Sequence, residues 1–184
     1  MPITPPQPRA WWHEPVGVHE KIWLVIVVVL ALAMFLMMPA WHAFGAQNSP
    51  NESYRVAPEQ YWQKVTAFSA GDGPGSEKTP AGIKPKGDDV YLGALKFGWV
   101  PSQLVLTTGR QYRIHVSSKD VNHGFSIHRN GETAQKANFQ VVPGYEYVIT
   151  MTFDQPGTYD IVCQEYCGIG HHVMVGKFIV ERGN

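Results

Sequence analysis

The sequence is poor in cysteine and in charge, and it lacks the commoner catalytic motifs. Only two of its 184 residues are cysteines, and fifteen basic residues balance fifteen acidic ones. Because nucleic-acid-binding proteins carry an excess of basic residues, the zero net charge gives no sign of such a partner. No phosphate-binding loop, internal repeat or nucleophile–base arrangement is visible. These absences leave no signal for nucleic-acid binding, phosphate chemistry or nucleophilic catalysis.

The two cysteines lie in a segment that is dense in metal ligands. It reads C-Q-E-Y-C-G-I-G-H-H-V-M, so Cys163, Cys167, His171 and Met174 offer two thiolates, an imidazole and a thioether. Soft sulfur and imidazole ligands select copper, and a weak thioether is typical of the axial position in electron-transfer copper sites. Two neighbouring thiolates can bridge a pair of metal ions, but such a core needs a second imidazole. His123, in the upstream run D-V-N-H-G-F, offers one.

Other interpretations of the same residues exist. Two cysteines in a chain outside the cytoplasm usually form a disulfide, and oxidation of this pair in a metal-free protein stays open. Zinc binds two cysteines and two histidines, but its structural sites favour other spacings and have no use for Met174. A mononuclear copper site would leave one cysteine without a role. A binuclear copper site uses all of the candidate ligands.

Both motifs resemble those of subunit II of the haem–copper respiratory oxidases, which carries the binuclear copper centre CuA. The family patterns C-x-E-x-C-x-x-x-H-x-x-M and D-V-x-H-x-F are present without gaps. The resemblance covers roughly residues 90–181 and the N-terminal hydrophobic segment. The copper ligands that it implies are His123, Cys163, Glu165, Cys167, His171 and Met174.

The resemblance also implies a role for each ligand. The two cysteines are the bridging thiolates, and each histidine binds one copper. Met174 is the weak axial ligand of one copper, and the backbone carbonyl of Glu165 is its counterpart on the other. No position at copper is left for a substrate, so we expect a relay of electrons rather than bond breaking.

The family gives this relay a place in respiration. The resemblance implies that CuA accepts electrons from cytochrome c or a small cupredoxin and passes them to haem in a catalytic subunit I. That subunit reduces oxygen to water and pumps protons. Some membrane nitric oxide reductases carry a CuA subunit of the same design, and the sequence leaves this alternative open. A single anchor is like the B-type oxidases, whereas Glu165 follows the A-type pattern, in which the carboxylate also reaches a magnesium ion.

One long hydrophobic run is present near the N-terminus. Residues 22–41 contain no Asp, Glu, Lys, Arg or His, and at ~1.5 Å per residue they match the ~30 Å bilayer core. A cleaved signal peptide normally has a shorter apolar region, so we expect a retained anchor. Arg9 and Lys21 precede the run, and the next cation is Arg55. The positive-inside rule therefore predicts a cytoplasmic N-terminus and a periplasmic or extracellular domain, on a bacterial or archaeal plasma membrane.

Apolar and polar side chains alternate through the second half of the chain, as in residues 111–116 and 145–153. This pattern predicts half-buried strands and puts His115 on a polar, solvent-exposed face. Pro-Gly pairs at 143–144 and 156–157 mark turns between strands. We therefore expect a mainly β Greek-key sandwich or barrel, and the resemblance makes it cupredoxin-like.

These signals divide the chain into four segments. They are a cytoplasmic tail (residues 1–20), a transmembrane helix (21–44), a linker with a short helix at 58–70 (45–87), and the CuA cupredoxin domain (88–184).

Two aromatic residues before Pro101 are candidates for the point at which electrons enter. Phe97 and Trp99 either form an apolar docking surface or belong to the core at a strand end. Beyond Gln47 thirteen basic residues balance thirteen acidic ones, so long-range steering of a charged donor should be weak. If a local charged patch docks the donor instead, Asp120 is the leading candidate.

Overall fold

The structure is a computed structural model that describes residues 15–45 and 50–183. The chain forms two compact units, one up to Gln47 and the other from Asn48 onward. Of the predicted cytoplasmic tail, residues 1–20, only the last six lie within the described part.

The N-terminal unit contains helix α1, which runs from Val18 to Phe44. It begins three residues before the predicted span of 21–44 and is 27 residues long, or about 40 Å at ~1.5 Å per residue. Within the described residues, it is the one helix long and apolar enough to cross a membrane. Pro39 lies near its end, and the Gly45 N–H closes the last turn on the Trp41 carbonyl at 2.8 Å.

The C-terminal unit is built mainly from β-strands. Its elements are β1 (Glu52–Arg55), α2 (Pro58–Ala70), β2 (Ser76–Thr79), β3 (Gly82–Pro85), β4 (Asp89–Leu95), β5 (Gly98–Val100), β6 (Gln103–Thr107), β7 (Gln111–Ser118), β8 (His123–Arg129), β9 (Gln135–Val141), β10 (Tyr145–Thr152), β11 (Gly157–Cys163) and β12 (Val175–Glu181).

These strands form two sheets that enclose one core. The first sheet has the order β1-β10-β7-β4-β5 and the second has the order β2-β3-β6-β12-β11-β8-β9. Most neighbours are antiparallel, but three pairs are parallel, namely β4 with β7, β3 with β6, and β6 with β12. Apolar side chains of both sheets, such as Leu92, Ile114, Phe125, Ile161 and Phe178, are fully buried. The expected mainly β class is confirmed.

The β unit begins earlier than the sequence analysis placed it. Residues 45–87 were predicted to be a linker, yet β1 pairs with β10 and β3 pairs with β6. Helix α2 occupies the range 58–70 in which a short helix was expected, and it buries Tyr61, Val65 and Phe68. The linker interpretation failed because four-residue strands give no alternation signal, and because β1 pairs with β10, far away in the sequence.

The interpretation of His115 as solvent-exposed was wrong. Only 6% of its surface is exposed, because α2 covers the outer face of the first sheet. Its Nδ1 lies 2.6 Å from Glu146 Oε1, and its Nε2 lies 3.1 Å from Asp89 Oδ1. Each ring nitrogen therefore faces one carboxylate oxygen. Lys64 Nζ completes the group at 3.1 Å from the other oxygen of Glu146.

Candidate metal centre

The predicted ligands meet at one end of the second sheet because two neighbouring strands begin and end there. His123 is the first residue of β8 and Cys163 is the last residue of β11. These strands are antiparallel, with Phe125 opposite Cys163. The sheet therefore brings His123 next to the loop that follows Cys163, although the two are far apart in the sequence.

The loop from β11 to β12 (residues 164–174) is called the ligand loop below. Backbone hydrogen bonds hold it in place. The Cys163 N–H donates to the Met174 carbonyl at 3.2 Å, so the two ends of the loop are joined. A short 3₁₀ turn begins at His171, whose N–H donates to the Gly168 carbonyl at 3.0 Å. These bonds keep His171 and Met174 beside the cysteines.

Each cysteine sulfur has its own imidazole and its own third donor. Cys163 Sγ lies 3.8 Å from His123 Nδ1 and 3.1 Å from the Glu165 carbonyl oxygen. Cys167 Sγ lies 3.7 Å from His171 Nδ1 and 3.8 Å from Met174 Sδ. The structure thus brings together all six ligands that the sequence analysis named.

The two sulfurs lie 4.0 Å apart and both cysteines are free and buried. A disulfide bond would need about 2.05 Å. The ligand atoms of His123, Cys163 and Cys167 all lie within 4.8 Å of one another, so soft donors surround a common centre. This donor set fits copper, because thiolate, thioether and imidazole together select it over harder cations.

Burial affects the protonation of the thiols. Desolvation raises the pKa of the Cys167 thiol to about 11, and the neighbouring Cys163 acts in the same direction. The Cys167 thiol is therefore protonated at neutral pH when no metal is bound. Since thiolate is the form that binds metal, metal binding must displace this proton.

A carboxylate contacts the candidate ligand His123. Asp120 Oδ1 accepts a hydrogen bond from His123 Nε2 at 2.9 Å, which leaves Nδ1 facing Cys163. Burial alone would raise the pKa of Asp120, but hydrogen bonds from His123 and from the N–H groups of Lys96 and Val121 outweigh it and lower that pKa. Such a partner behind a metal-binding histidine fixes its tautomer and ring orientation.

The two aromatic candidates have different environments. Trp99 is 3% exposed and belongs to the core, whereas Phe97 is 37% exposed. Of the two alternatives given by the sequence, Trp99 therefore follows the core one. Phe97 lies over the ligand loop, where a Cβ at Gly170 would come within 2.5 Å of its ring and one at Gly168 within 2.9 Å. Of the two, Phe97 is the aromatic that reaches both the solvent and the ligand loop.

The sequence analysis missed the role of Gly124. A Cβ at this position would lie 2.8 Å from the Glu165 backbone nitrogen and 2.9 Å from that of Gln164. The Gln164 N–H also donates to the Gly124 carbonyl at 3.1 Å. Gly124 therefore lets the ligand loop lie directly on β8. A glycine next to a candidate ligand was the available signal.

Two further predicted or neighbouring residues lie at the surface. His172, beside the ligand His171, is exposed and has no contact with the cluster among the described hydrogen bonds. The carbonyl oxygen of Glu165 faces Cys163. The carboxylate of the same residue makes a different contact, because its Oε2 accepts a hydrogen bond from Gln140 Nε2 at 3.1 Å.

Comparisons with known proteins agree with this geometry. Residues 83–181 match the family described as cytochrome c oxidase subunit II, periplasmic domain. Cytochrome c oxidase subunit 2 of Thermus thermophilus is 29% identical over 173 residues, which cover 92% of this chain and 96% of that protein. A chain of a haem–copper terminal oxidase dimer, solved by cryo-electron microscopy, has a TM-score of 0.53 at 26% identity, covering 89% of this chain and 99% of that one.

The fold is also that of smaller copper proteins. Rusticyanin has a TM-score of 0.51 at 16% identity, covering 72% of this chain and 99% of its own. The described β unit is therefore a cupredoxin-like domain with a buried cluster of soft metal ligands at one end. Because the matched family spans more than half of the sequence, the chain belongs to the cytochrome c oxidase subunit II family.

Proposed function

We propose that this chain holds a binuclear CuA centre and relays electrons from a donor protein to the haem of subunit I in a respiratory oxidase. One observation carries the proposal. Each of two buried sulfurs, 4.0 Å apart, faces a different imidazole and a different third donor. A mononuclear site needs only one such set. The duplicated arrangement supports two metal ions that share both sulfurs.

The protein's own part in this function is to fix and shield the ligands. The two cysteine thiolates would hold the copper ions together with four further ligands, namely His123, His171, Met174 and the Glu165 carbonyl. The chemistry supplied on copper binding is one-electron transfer. Burial of both cysteines and of Met174 excludes water, and the strand pairing holds the ligands so that little rearrangement accompanies a change of redox state.

The comparisons support the wider assignment. The related proteins are subunits of cytochrome c oxidases and of a haem–copper terminal oxidase, so we place this chain in an oxidoreductase complex with a haem-containing subunit I. Cytochrome c or a small cupredoxin is the proposed donor. A nitric oxide reductase is not favoured, because the matched family is described as cytochrome c oxidase subunit II and the related proteins are oxidase subunits.

We propose that α1 anchors the chain in the bilayer as a single span, with the cupredoxin-like domain outside the cytoplasm. The apolar length of α1 supports the span. Arg9 and Lys21 precede the apolar run of residues 22–41, and the next cation is Arg55, which supports a cytoplasmic N-terminus. Mapping of externally added protease cleavage in intact cells tests this orientation.

Electrons enter, in this proposal, at an apolar surface around Phe97. Exposed apolar side chains of the ligand loop surround the copper end of the domain, namely Tyr166, Ile169 and Val173. The Asp120 side chain is 32% exposed, and its carboxylate already accepts hydrogen bonds within the chain. The apolar loop is therefore the better candidate for donor docking than a charge at Asp120.

The Glu165 carboxylate is the candidate for a magnesium ion at the interface with subunit I. Its bond from Gln140 orients it at the domain surface. Measurement of magnesium in the purified complex, with Glu165→Gln as the control variant, tests this separate assignment.

The central experiment is copper loading of the full chain in detergent. We expect two coppers per chain, a purple colour, and an electron-paramagnetic-resonance spectrum split by two equivalent copper nuclei. Cys163→Ser should abolish this spectrum, because each thiolate contacts both metals. One copper per chain with a blue-type spectrum would contradict the binuclear assignment.

A further inference from the structure

Asp120 makes contacts that reach beyond the ligand His123. Its Oδ1 accepts hydrogen bonds from His123 Nε2 at 2.9 Å and from the Val121 N–H at 2.7 Å. Its Oδ2 accepts a third bond from the Lys96 N–H at 2.8 Å. One carboxylate thus joins the turn before β8 to the turn between β4 and β5.

The turn held at Lys96 carries Phe97 as its next residue. The Phe97 ring lies against Gly168 and Gly170, where any larger residue would collide with it. A second link reinforces this connection, because the Lys119 N–H donates to the Ala94 carbonyl at 2.9 Å. A short path therefore runs from the copper ligand through Asp120 to the exposed aromatic ring.

We propose that Asp120 is a positioning residue that sets the His123 ring and the Phe97 turn together. This inference rests on the proposed function, since it assumes that copper binds at His123 and that electrons enter at Phe97. It differs from a docking role, in which the carboxylate would contact the donor directly. Both oxygens of Asp120 are already used within the chain, which favours the internal role.

Asp120→Asn separates these contacts with little change in shape. The amide has one acceptor oxygen, so it cannot accept from both His123 and Lys96. Whichever side faces the amide NH₂ group meets a second donor. If the Lys96 N–H loses its hydrogen bond to the charged carboxylate, exchange of the Lys96 amide proton should speed up roughly 10- to 100-fold. Loss of the partner behind His123 should weaken copper binding by a similar factor of roughly 10 to 100.

Two readouts on the full chain in detergent test the proposal. Amide exchange at Lys96 is measured by NMR in the metal-free protein, and the paramagnetic-resonance spectrum and copper affinity are measured after loading. We expect Asp120→Asn to change either the Lys96 exchange rate or the copper readouts, and Asp120→Ala to change both. Asp154→Asn is the matched control, because Asp154 is exposed and makes no described hydrogen bond. It should change neither readout.

A double-mutant cycle then separates positioning from docking. Reduction by the donor protein is compared with reduction by a small-molecule reductant, so that any change in copper potential is cancelled. If Asp120 acts through the Phe97 turn, Asp120→Ala should slow donor-specific reduction in the wild type but not in a Phe97→Ala background. Additive slowing would show direct contact with the donor and overturn the proposal.

Failure of the inference is distinct from failure of the proposed function. If the wild-type chain gives no binuclear spectrum, the CuA assignment fails, whereas exchange at Lys96 still reports on the carboxylate link. If the wild-type spectrum is present but Asp120→Ala leaves the spectrum and Lys96 exchange unchanged, only the positioning role is refuted.

Discussion

The buried contact between His115 and Glu146 under α2 allows a stability prediction with a definite order of effects. His115 and Glu146 are 8% and 7% exposed at their side chains, and their atoms lie 2.6 Å apart. Replacing His115 with Leu leaves the Glu146 carboxylate buried with one partner fewer. Breaking such a buried pair costs about 3–5 kcal/mol, but Lys64 remains beside Glu146, so we expect about 3 kcal/mol.

The outer links of the same group should contribute much less. Lys64 is 47% exposed and Asp89 is 50% exposed at the side chain. Exposed pairs typically contribute about 0.2–1 kcal/mol because solvent screens them. We therefore expect Lys64→Met and Asp89→Asn each to cost less than about 1 kcal/mol, a third or less of the effect of His115→Leu.

Thermal unfolding of the metal-free chain in detergent, with the thiols reduced, measures these differences. Since 1 kcal/mol shifts the midpoint of a domain of this size by about 2–4 °C, His115→Leu should lower it by roughly 6–12 °C. His128→Leu is a control, because His128 is half-buried on β8 and makes no described side-chain hydrogen bond. It should shift the midpoint by about 2 °C or less.

Either of two results would contradict the expected order of effects. A midpoint for His115→Leu within 2 °C of the wild type would mean that the contact with Glu146 contributes little. A loss in Lys64→Met as large as that in His115→Leu would mean that exposure does not determine which link matters.

Three further predictions concern the copper site. Met174→Leu should retain copper but shift its reduction potential, since an axial thioether tunes potential more than it holds metal. A metal assay that finds as complete a loss of copper as in Cys167→Ser would contradict this. Phe97→Ala should slow reduction by the donor protein without altering the copper spectrum, and the rate should change little with salt because charges on the outer domain balance. A rate that collapses at high ionic strength would indicate a charged docking patch instead. Copper loading should release protons at pH 7–9, as measured with an indicator dye, because the pKa of Cys167 is raised to about 11. The affinity for copper should therefore rise with pH. Loading without proton release would show that the thiolate forms before copper binds.

The ligand loop was predictable because its four side chains lie within one short segment. Their spacing alone indicates a soft-metal site, and the loop bonds keep them together. His123 is different. A binuclear core called for a second imidazole, but only the family resemblance tied that role to His123, because strand pairing between β8 and β11 cannot be read from local spacing.

The burial of the outer face of the first sheet could not be predicted from the alternation pattern. Alternation along β7 correctly separated the core face from the opposite face, but it does not reveal what covers that opposite face. Helix α2 lies there, so His115 is buried. A related limit applied to the linker, because β1 pairs with the distant β10, and β2 and β3 are too short to show alternation.

The two aromatic residues before Pro101 show a related limit. Phe97 and Trp99 are two positions apart, so a continuous strand would place both on one face. Strand β5 begins only at Gly98, and Phe97 belongs to the preceding turn. The alternation is therefore interrupted between them, and one ring is exposed while the other is buried.

The alignment of β8 with β11 makes metal retention a check on correct folding. Phe125 pairs with Cys163 in the native register, and His123 lies on the same side of β8 as Phe125. Because side chains alternate between faces, a slip of one residue would direct the imidazole away from the sulfurs and bring Asn122 or Gly124 toward them. A chain that folds with shifted strands would lose one of its imidazoles and bind copper weakly. Copper content would therefore distinguish correctly paired molecules from compact but misaligned ones.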